Sequence, residues 1–193
     1  MLKETIDGDN IFLIRDFLTL DECLQFIAVS EQAGYSDAPI TTTGGFVMVK
    51  EVRNNDRVMI DDVPLAAKLF DRAKPFLPSP FMIGDVVGLN ERFRYYRYDI
   101  GQRFARHYDG CFERDNGERS QFTFMVYLND DFTGGETKFY HGERRLIVTP
   151  KRGSALVFYH LQLHEGAPIE KGRKYVLRTD VMYLPRARGK EKK

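Results

Sequence analysis

The apolar positions of this chain fall into two textures. In two stretches before residue 76 they recur every three or four residues, the spacing of a helix with one face on a core; from about Phe93 onward they form short aromatic and β-branched runs broken by Gly, Asn, Asp and Pro, the texture of strands and turns. Ahead of both, Ile11 to Ile14 reads as a short strand. Thr19-Leu20-Asp21-Glu22 then has the form of a capping box, opening a helix whose expected inward positions are Leu20, Cys23, Leu24, Ile27 and Ala28 and whose stop is Gly34. A second helix is expected after Asp62, with Pro64 in its first turn, Leu65, Leu69, Phe70 and Ala73 inward, and Pro75, Pro78 and Pro80 ending it.

The later half predicts strands near Phe93–Tyr98, Phe104–His107, Gln121–Leu128, Glu136–Tyr140, Leu146–Val148, Ala155–Tyr159, Gly166–Ile169 and Lys174–Tyr183. Closely spaced strands with no helical pattern between them argue for an antiparallel sandwich or barrel rather than a parallel sheet. The expected fold class is therefore mainly β (α+β), a jelly roll with N-terminal supporting helices. Residues 1–90 form the support region, 91–185 the core and 186–193 a solvated basic tail, within one structural domain.

Composition narrows the function classes. Twenty-nine basic against 28 acidic residues leave a formal charge of +1, so nothing in the balance points to nucleic acid or an acidic membrane as partner. No apolar run approaches the roughly 18 residues of a membrane span. The two cysteines, Cys23 and Cys111, are too few and too far apart for a disulfide framework or a zinc ribbon, and the first ten residues carry acids and no apolar stretch of the secretory type. These features lead us to expect a cytoplasmic protein with reduced thiols.

All four histidines, His107, His141, His160 and His164, lie in the β-rich half. His107 and Asp109 end a predicted strand with i, i+2 spacing, which turns an imidazole and a carboxylate to one side and Tyr108 to the other. His164 follows another apolar strand. Two histidines and one carboxylate on a β-scaffold form a ligand set that leaves positions open on non-haem Fe(II). His160 and His141 are the weaker competitors, one in a strand-to-turn segment and the other beside Gly142. Lys174 and Arg178 share a face of the last strand that points inward in a closed sandwich, and a buried cation needs an anion. Arg53-Asn54-Asn55-Asp56-Arg57 reads first as a surface turn, with substrate contact as the alternative; the segment 110–120 is equally a lid or a solvated loop. Gly134-Gly135 and Gly153 read as turns, and the aromatic run from Phe93 as core and pocket wall.

Several motifs in order, Tyr98 to Phe104, His107-Tyr108-Asp109, Tyr127-Leu128-Asn129, Gly134 to Phe139, Pro150 to Phe158 and His164 to Lys174, make about residues 92–184 similar to the prolyl 4-hydroxylase type of Fe(II)/2-oxoglutarate-dependent dioxygenase. The resemblance implies a double-stranded β-helix with His107, Asp109 and His164 as iron ligands and catalytic centre. It implies Lys174 as the cation on the C5 carboxylate of 2-oxoglutarate, with Arg178 and then Arg173 as alternatives, since arginine often fills this role and offers a fork where lysine offers a point charge. Tyr127 matches a residue that hydrogen-bonds the same carboxylate, and Tyr98 one that lines the cosubstrate pocket. The implied cofactors are Fe(II), 2-oxoglutarate and O2, with ascorbate as reductant. The implied reaction hydroxylates an unactivated C–H bond while 2-oxoglutarate becomes succinate and CO2. The substrate, small or peptidyl, stays open between a peptidyl proline, a free amino acid and another small metabolite. The competing class is a non-enzymatic or differently metallated cupin-like jelly-roll binding protein.

Overall fold

The computed structural model describes residues 1–186 except 39, 43, 44, 48, 50 and 83. The basic tail expected from Arg186 therefore lies, past its first residue, outside the described residues.

An N-terminal hairpin of β1 (Leu2–Asp7) and β2 (Ile11–Arg15) leads into α1 (Leu20–Ala33). Short strands β3 (Ser36–Asp37), β4 (Ile40–Thr42) and β5 (Gly45–Val47) precede β6 (Asp56–Asp61) and α2 (Val63–Ala73), which a single 3-10 turn, Lys74–Phe76, closes. The next strands are β7 (Gly84–Leu89), β8 (Arg92–Tyr98), β9 (Phe104–His107), β10 (Arg119–Tyr127) and β11 (Thr133–Gly134). After them come β12 (Thr137–His141), β13 (Arg144–Val148), β14 (Ala155–Tyr159), β15 (His164–Gly166), β16 (Ile169–Lys171) and β17 (Lys174–Pro185).

A large antiparallel sheet runs β1-β2-β14-β10-β17-β8-β6-β3, with β7 also paired to β17, and a smaller one runs β13-β12-β15-β9. Both faces of the large sheet are covered, and its central strands sort their side chains by twos. Phe122, Phe124 and Val126 of β10, Phe93 and Tyr95 of β8, and Leu177 and Val181 of β17 pack with Cys23 of α1 and with Ala66, Leu69 and Ala73 of α2. The alternate residues Tyr96, Tyr98, Tyr127, Leu156, Phe158 and Val176 face inward and pack with Phe139 and Val148 of the smaller sheet. This is the expected jelly roll, a double-stranded β-helix backed by two helices. The N-terminal support region is woven into it, because β2 pairs with β14 and β6 with β8.

Three details differ from expectation. The strand expected over Gly166–Ile169 is two short ones, β15 and β16, separated by Ala167 and Pro168; proline has no N–H to give a ladder. In α1 only Cys23 and Ser30 are fully buried, while Leu20 and Leu24 are about half exposed at 49% and 55% and Ala28 is exposed; Phe26 and Ile27 complete the inward face. The helix is therefore rotated away from the stripe its leucines suggested. β1 and β7, polar and glycine-bearing strands, gave no apolar signal.

The helix ends follow their sequence signals. Thr19 accepts from the Glu22 N–H while the Glu22 side chain accepts from the Thr19 N–H, Asp62 caps α2 through the Leu65 N–H, and Gly34 closes α1 at φ 82°. Glu22 also forms a two-pronged pair with Arg72, which ties α1 to α2 and holds its carboxyl down at about 2, the hydrogen bond to Arg72 outweighing burial. Thr19→Ala removes one arm of this cap and is expected to cost about 1 kcal/mol, lowering the thermal midpoint by roughly 2–4 °C for a chain of this size. An unchanged midpoint in a calorimetric scan would show that the cap contributes nothing.

Candidate metal centre and its pocket

His107 closes β9 and His164 opens β15, and the antiparallel register sets the two directly opposite one another. Cross-strand neighbours at that position put their imidazoles together, with ring centroids 4.2 Å apart. Each ring donates its Nδ1–H to the carbonyl two residues earlier, His107 to Ala105 at 2.8 Å and His164 to Gln162 at 2.9 Å. These bonds select the tautomer whose lone pair is on Nε2. Phe104 stacks on His107 at 3.5 Å, and Phe158 meets His164 edge-on at 4.6 Å, so neither ring is free to turn.

Asp109 lies just past the end of β9, its N–H held by the His160 carbonyl at 3.2 Å. Its carboxylate stands 3.5 Å from His107 Nε2 and 3.7 Å from His164 Nε2. The three donor atoms lie within 4.8 Å of one another, and His107 Nε2 is buried with no hydrogen-bond partner. A buried, unpartnered imidazole nitrogen beside a carboxylate is what a divalent-cation site looks like before its ion is counted, so the residues present fit Fe(II). Burial pushes His164 down to about 4, with Asp109 only partly opposing it, which keeps the imidazole neutral and able to coordinate.

The Asp109 carboxylate is itself anchored. Arg178 Nη2 reaches Oδ1 at 2.9 Å and Thr123 Oγ1 donates to Oδ2 at 2.5 Å. Burial would raise this carboxyl, but the Arg178 guanidinium and the two imidazoles outweigh it and hold it well below the carboxylate range. Arg178 therefore faces inward as its strand parity predicts, yet its charge is directed at the ligand carboxylate. Arg173 points the other way and pairs with Asp99 at 2.5 Å on the half-exposed surface.

Lys174 is left as the cation of the inner cavity. It is 3% exposed, and its Nζ lies 5.5 and 5.4 Å from the ring centroids of Tyr98 and Tyr127 and donates to the Gly135 carbonyl at 2.5 Å. The glycine pair is more than a turn: Gly135 has φ +69°, and a Cβ there would stand 2.5 Å from Ile169 Cδ1 and 3.2 Å from Lys174 Cδ. Tyr98 lines the cavity with Lys174, whereas Tyr127 hydrogen-bonds Thr137 Oγ1 at 2.8 Å and Thr137 forms the wall. The cavity, about 40 Å³, runs from Lys174 to the His107, Asp109 and His164 side chains between Phe104, Met125, Phe158 and Val176.

The other candidates separate clearly. His160 is buried 3.8 Å from Asp180, and His141 stands near Asp7 at 3.9 Å; neither joins the triad. The segment 110–120 is a tied turn, with Phe112 and Ser120 exchanging hydrogen bonds and Arg114 paired to Glu91 and Glu118, and only Gly110, Cys111 and Phe112 reach the cleft outside the triad. The surface-turn reading of Arg53–Arg57 is overturned: Arg53 and Asn55 are 4% and 1% exposed, and Asp56 opens β6. An isolated bridge to Phe104 carries Arg53 inward, a long-range contact with no local signal. Sequence reading also passed over Thr123, Met125 and Tyr96 as site residues, although each shares strand parity with Tyr127 or Tyr98.

Burial without a strong counter-charge brings Lys174 down to about 7, Glu136 opposing only weakly. Between that value and the ordinary 10.5 the unfolded chain holds a proton that the folded one has lost, so this group's contribution to stability rises with pH across the window. The difference in unfolding free energy between wild type and Lys174→Met, measured by urea titration, should accordingly shift in favour of wild type as pH rises above about 7. A pH-independent difference would contradict the placement of the ammonium in an unpaired, desolvated position.

The geometry is matched by comparison with known proteins. Residues 93–179 fit the family profile of the 2OG-Fe(II) oxygenase superfamily. Prolyl 4-hydroxylase 2 of Arabidopsis thaliana is 24% identical over 207 aligned positions, covering 90% of this chain and 67% of that protein. A putative prolyl 4-hydroxylase of Acanthamoeba polyphaga mimivirus is 27% identical over 146, covering 66% of this chain and 57% of that one. The viral collagen prolyl hydroxylase of Paramecium Bursaria Chlorella virus-1, solved as its 2OG complex, superposes with a TM-score of 0.67 at 22% identity, over 94% of this chain and 100% of that one. A prolyl hydroxylase of Trichoplax adhaerens, solved with a hypoxia inducible factor peptide fragment, gives 0.68 at 20% identity over 91% and 84%. With the triad in place on this fold, residues 93–179 form a 2OG-Fe(II) oxygenase domain, and the chain is similar to prolyl 4-hydroxylases over most of its length.

Proposed function

We propose that this hydroxylase acts on a prolyl residue of a peptide, or on a free amino acid of similar shape, and that His107, Asp109 and His164 hold its iron while Lys174 holds its cosubstrate. The observation that carries the assignment is the pairing of a buried triad at one end of a narrow cavity with one unpaired, buried ammonium at the other. Iron with 2-oxoglutarate and O2 supplies the oxidation when bound, converting 2-oxoglutarate to succinate and CO2 and placing one oxygen atom on a substrate carbon.

The protein's own part is binding, orientation and exclusion of water. The Ala105 and Gln162 carbonyls aim the two Nε2 lone pairs, and Arg178 with Thr123 fixes the plane of the Asp109 carboxylate. Lys174 gives the far carboxylate of 2-oxoglutarate a charged donor in a site of low dielectric, where its protonated form is favoured by the incoming anion. Tyr98 and Thr137 add wall and hydroxyl beside it, and Tyr127 holds Thr137 in place. Phe104, Met125, Phe158 and Val176 keep the space between apolar, limiting side reactions with water. The prolyl assignment is supported by the names of relatives such as prolyl 4-hydroxylase 2 and probable prolyl 4-hydroxylases 4 and 8 of Arabidopsis thaliana. We extend the reading to ascorbate as reductant on the same resemblance, and to a reducing cytoplasmic setting, which the two free thiols Cys23 and Cys111 suit.

Succinate release is the direct assay. It should require both added Fe(II) and 2-oxoglutarate, increase with ascorbate, and fall to background in His107→Ala and Asp109→Ala; turnover retained in those variants would refute the site. Lys174→Ala loses a charged hydrogen bond of ~1.5–3 kcal/mol, so the 2-oxoglutarate concentration for half-maximal rate should rise roughly 10- to 100-fold. An unchanged requirement would move the role to another cation. Peptides and free amino acids that gain one oxygen atom in a mass-spectrometric screen identify the substrate.

A further inference from the structure

Outside the triad the protein opens into a cleft of about 490 Å³ whose charged walls are Arg53, Arg57, Arg94, Arg178, Asp109 and Asp180. Four guanidiniums thus face two carboxylates in a chain whose total charge is only +1. Two of the four are accounted for: Arg94 pairs with Asp180 at 3.0 Å and Arg178 with Asp109 at 2.9 Å. Arg53 and Arg57 have no carboxylate partner among the described residues.

Arg53 is the more informative of the two. It is 4% exposed, and its Nε donates to Asn55 Oδ1 at 2.8 Å. Its guanidinium lies between the rings of Tyr96 and Phe104, 4.4 Å from each centroid. Of its two terminal nitrogens, Nη2 is buried without a hydrogen-bond partner. Burying a full charge against neutral groups alone is unfavourable, and a ligand carboxylate that completes the pair would relieve it. The Phe104 ring that carries Arg53 also stacks on His107, so the free guanidinium and the metal ligand share one aromatic spacer. Arg57 sits close by, half-buried, its pKa lowered by burial and by the neighbouring Arg53 and Arg94 charges, though Tyr96 opposes this. Tyr96 responds in the opposite sense: burial would raise its hydroxyl, but Arg53, Arg178 and Arg94 together bring it to about 8. The inner end of the cleft therefore has a positive field, while exposed Tyr108 and Phe112 give it an aromatic rim.

We infer that Arg53 and Arg57 bind a carboxylate of the prime substrate, so that the enzyme selects acidic substrates over their neutral counterparts. The inference rests on the hydroxylase reading of the same cleft and deepens it by naming the group that must accompany the reacting carbon. Two sources present that chemistry: the α-carboxylate of a free or C-terminal residue, and the side chain of an Asp or Glu next to a prolyl residue.

Calorimetric titration of the full chain, loaded with Fe(II) and 2-oxoglutarate under anaerobic conditions so that no turnover occurs, separates them. One matched pair is N-acetylproline and N-acetylprolinamide; the other is acetyl-Pro-Asp-amide and acetyl-Pro-Asn-amide. The acidic member of at least one pair should bind about tenfold tighter or more than its neutral partner, as expected for a charge-assisted bond in a desolvated site, and the pair that shows it identifies the source. The preference should shrink to within about twofold in Arg53→Met and in Arg57→Gln, return in part in Arg53→Lys, and weaken as KCl is raised. Should Arg53→Met fail to fold, Arg57→Gln at the half-buried position carries the test. Equal affinity within both pairs, no binding by either acidic member, or a preference that survives in the variants overturns the inference. Failure of the hydroxylase reading would appear elsewhere, as absence of Fe(II)- and 2-oxoglutarate-dependent succinate; equal affinities with succinate formation intact count against anion recognition alone.

Discussion

The buried Asp109 carboxylate is the constraint around which the rest of the molecule is arranged. A desolvated anion of this kind is tolerated only when it is fully partnered, and removing one partner of such a pair typically costs about 3–5 kcal/mol. Here the partners come from four strands: Arg178 from β17, Thr123 from β10, and the imidazoles of β9 and β15. Bringing them to one point requires the β10–β17 ladder in which Met125 faces Arg178, and the β15–β9 register in which His164 faces His107. A slip of one residue in either ladder would turn its contributors to the opposite face. The same registers that close the jelly roll therefore set the geometry of the candidate metal site.

The large sheet serves two interiors at once. One face supports helices through Phe122, Phe124, Leu177 and Val181, a dry apolar layer; the other carries Tyr96, Tyr98, Thr123, Lys174 and Arg178 into the pocket. Because the alternation is strict, the polar site residues are held by neighbours that are pure core, and their rotamers are set by packing rather than by loops. Lys174 shows what this rigidity achieves: it is placed where no carboxylate among the described residues forms an ion pair with it, at the far end of a cavity from the triad.

How much of this was legible in the sequence depended on the range of the interaction. Capping at Thr19, the start of the second helix after Asp62 and the i, i+2 placing of His107 and Asp109 are local, and the structure has each of them. Lys174 and Arg178 were correctly turned inward by parity, but parity could not tell which anion each faces; that is decided by the pairing of β17 with β10, which puts Arg178 beside Thr123 and Asp109. Arg53 was misread because a short polar segment rich in Asn and Arg looks like a surface turn, and only its bridge to Phe104 takes it inside. The near-neutral charge of the whole chain likewise concealed a cleft in which arginines outnumber carboxylates, since composition averages over position.

The central claim, that three ligands from the smaller sheet and its edge, backed by one face of the large sheet, form an iron site at one end of a cavity whose other end holds an anion-binding ammonium, is tested most directly by a crystal structure with Mn(II) and 2-oxoglutarate in place of the turning-over pair. The account predicts a single anomalous peak within coordinating distance of His107 Nε2, Asp109 and His164 Nε2, with the far carboxylate of 2-oxoglutarate on Lys174 Nζ. Metal bound elsewhere, or a cosubstrate whose far carboxylate rests on Arg178 or Arg173, would contradict it.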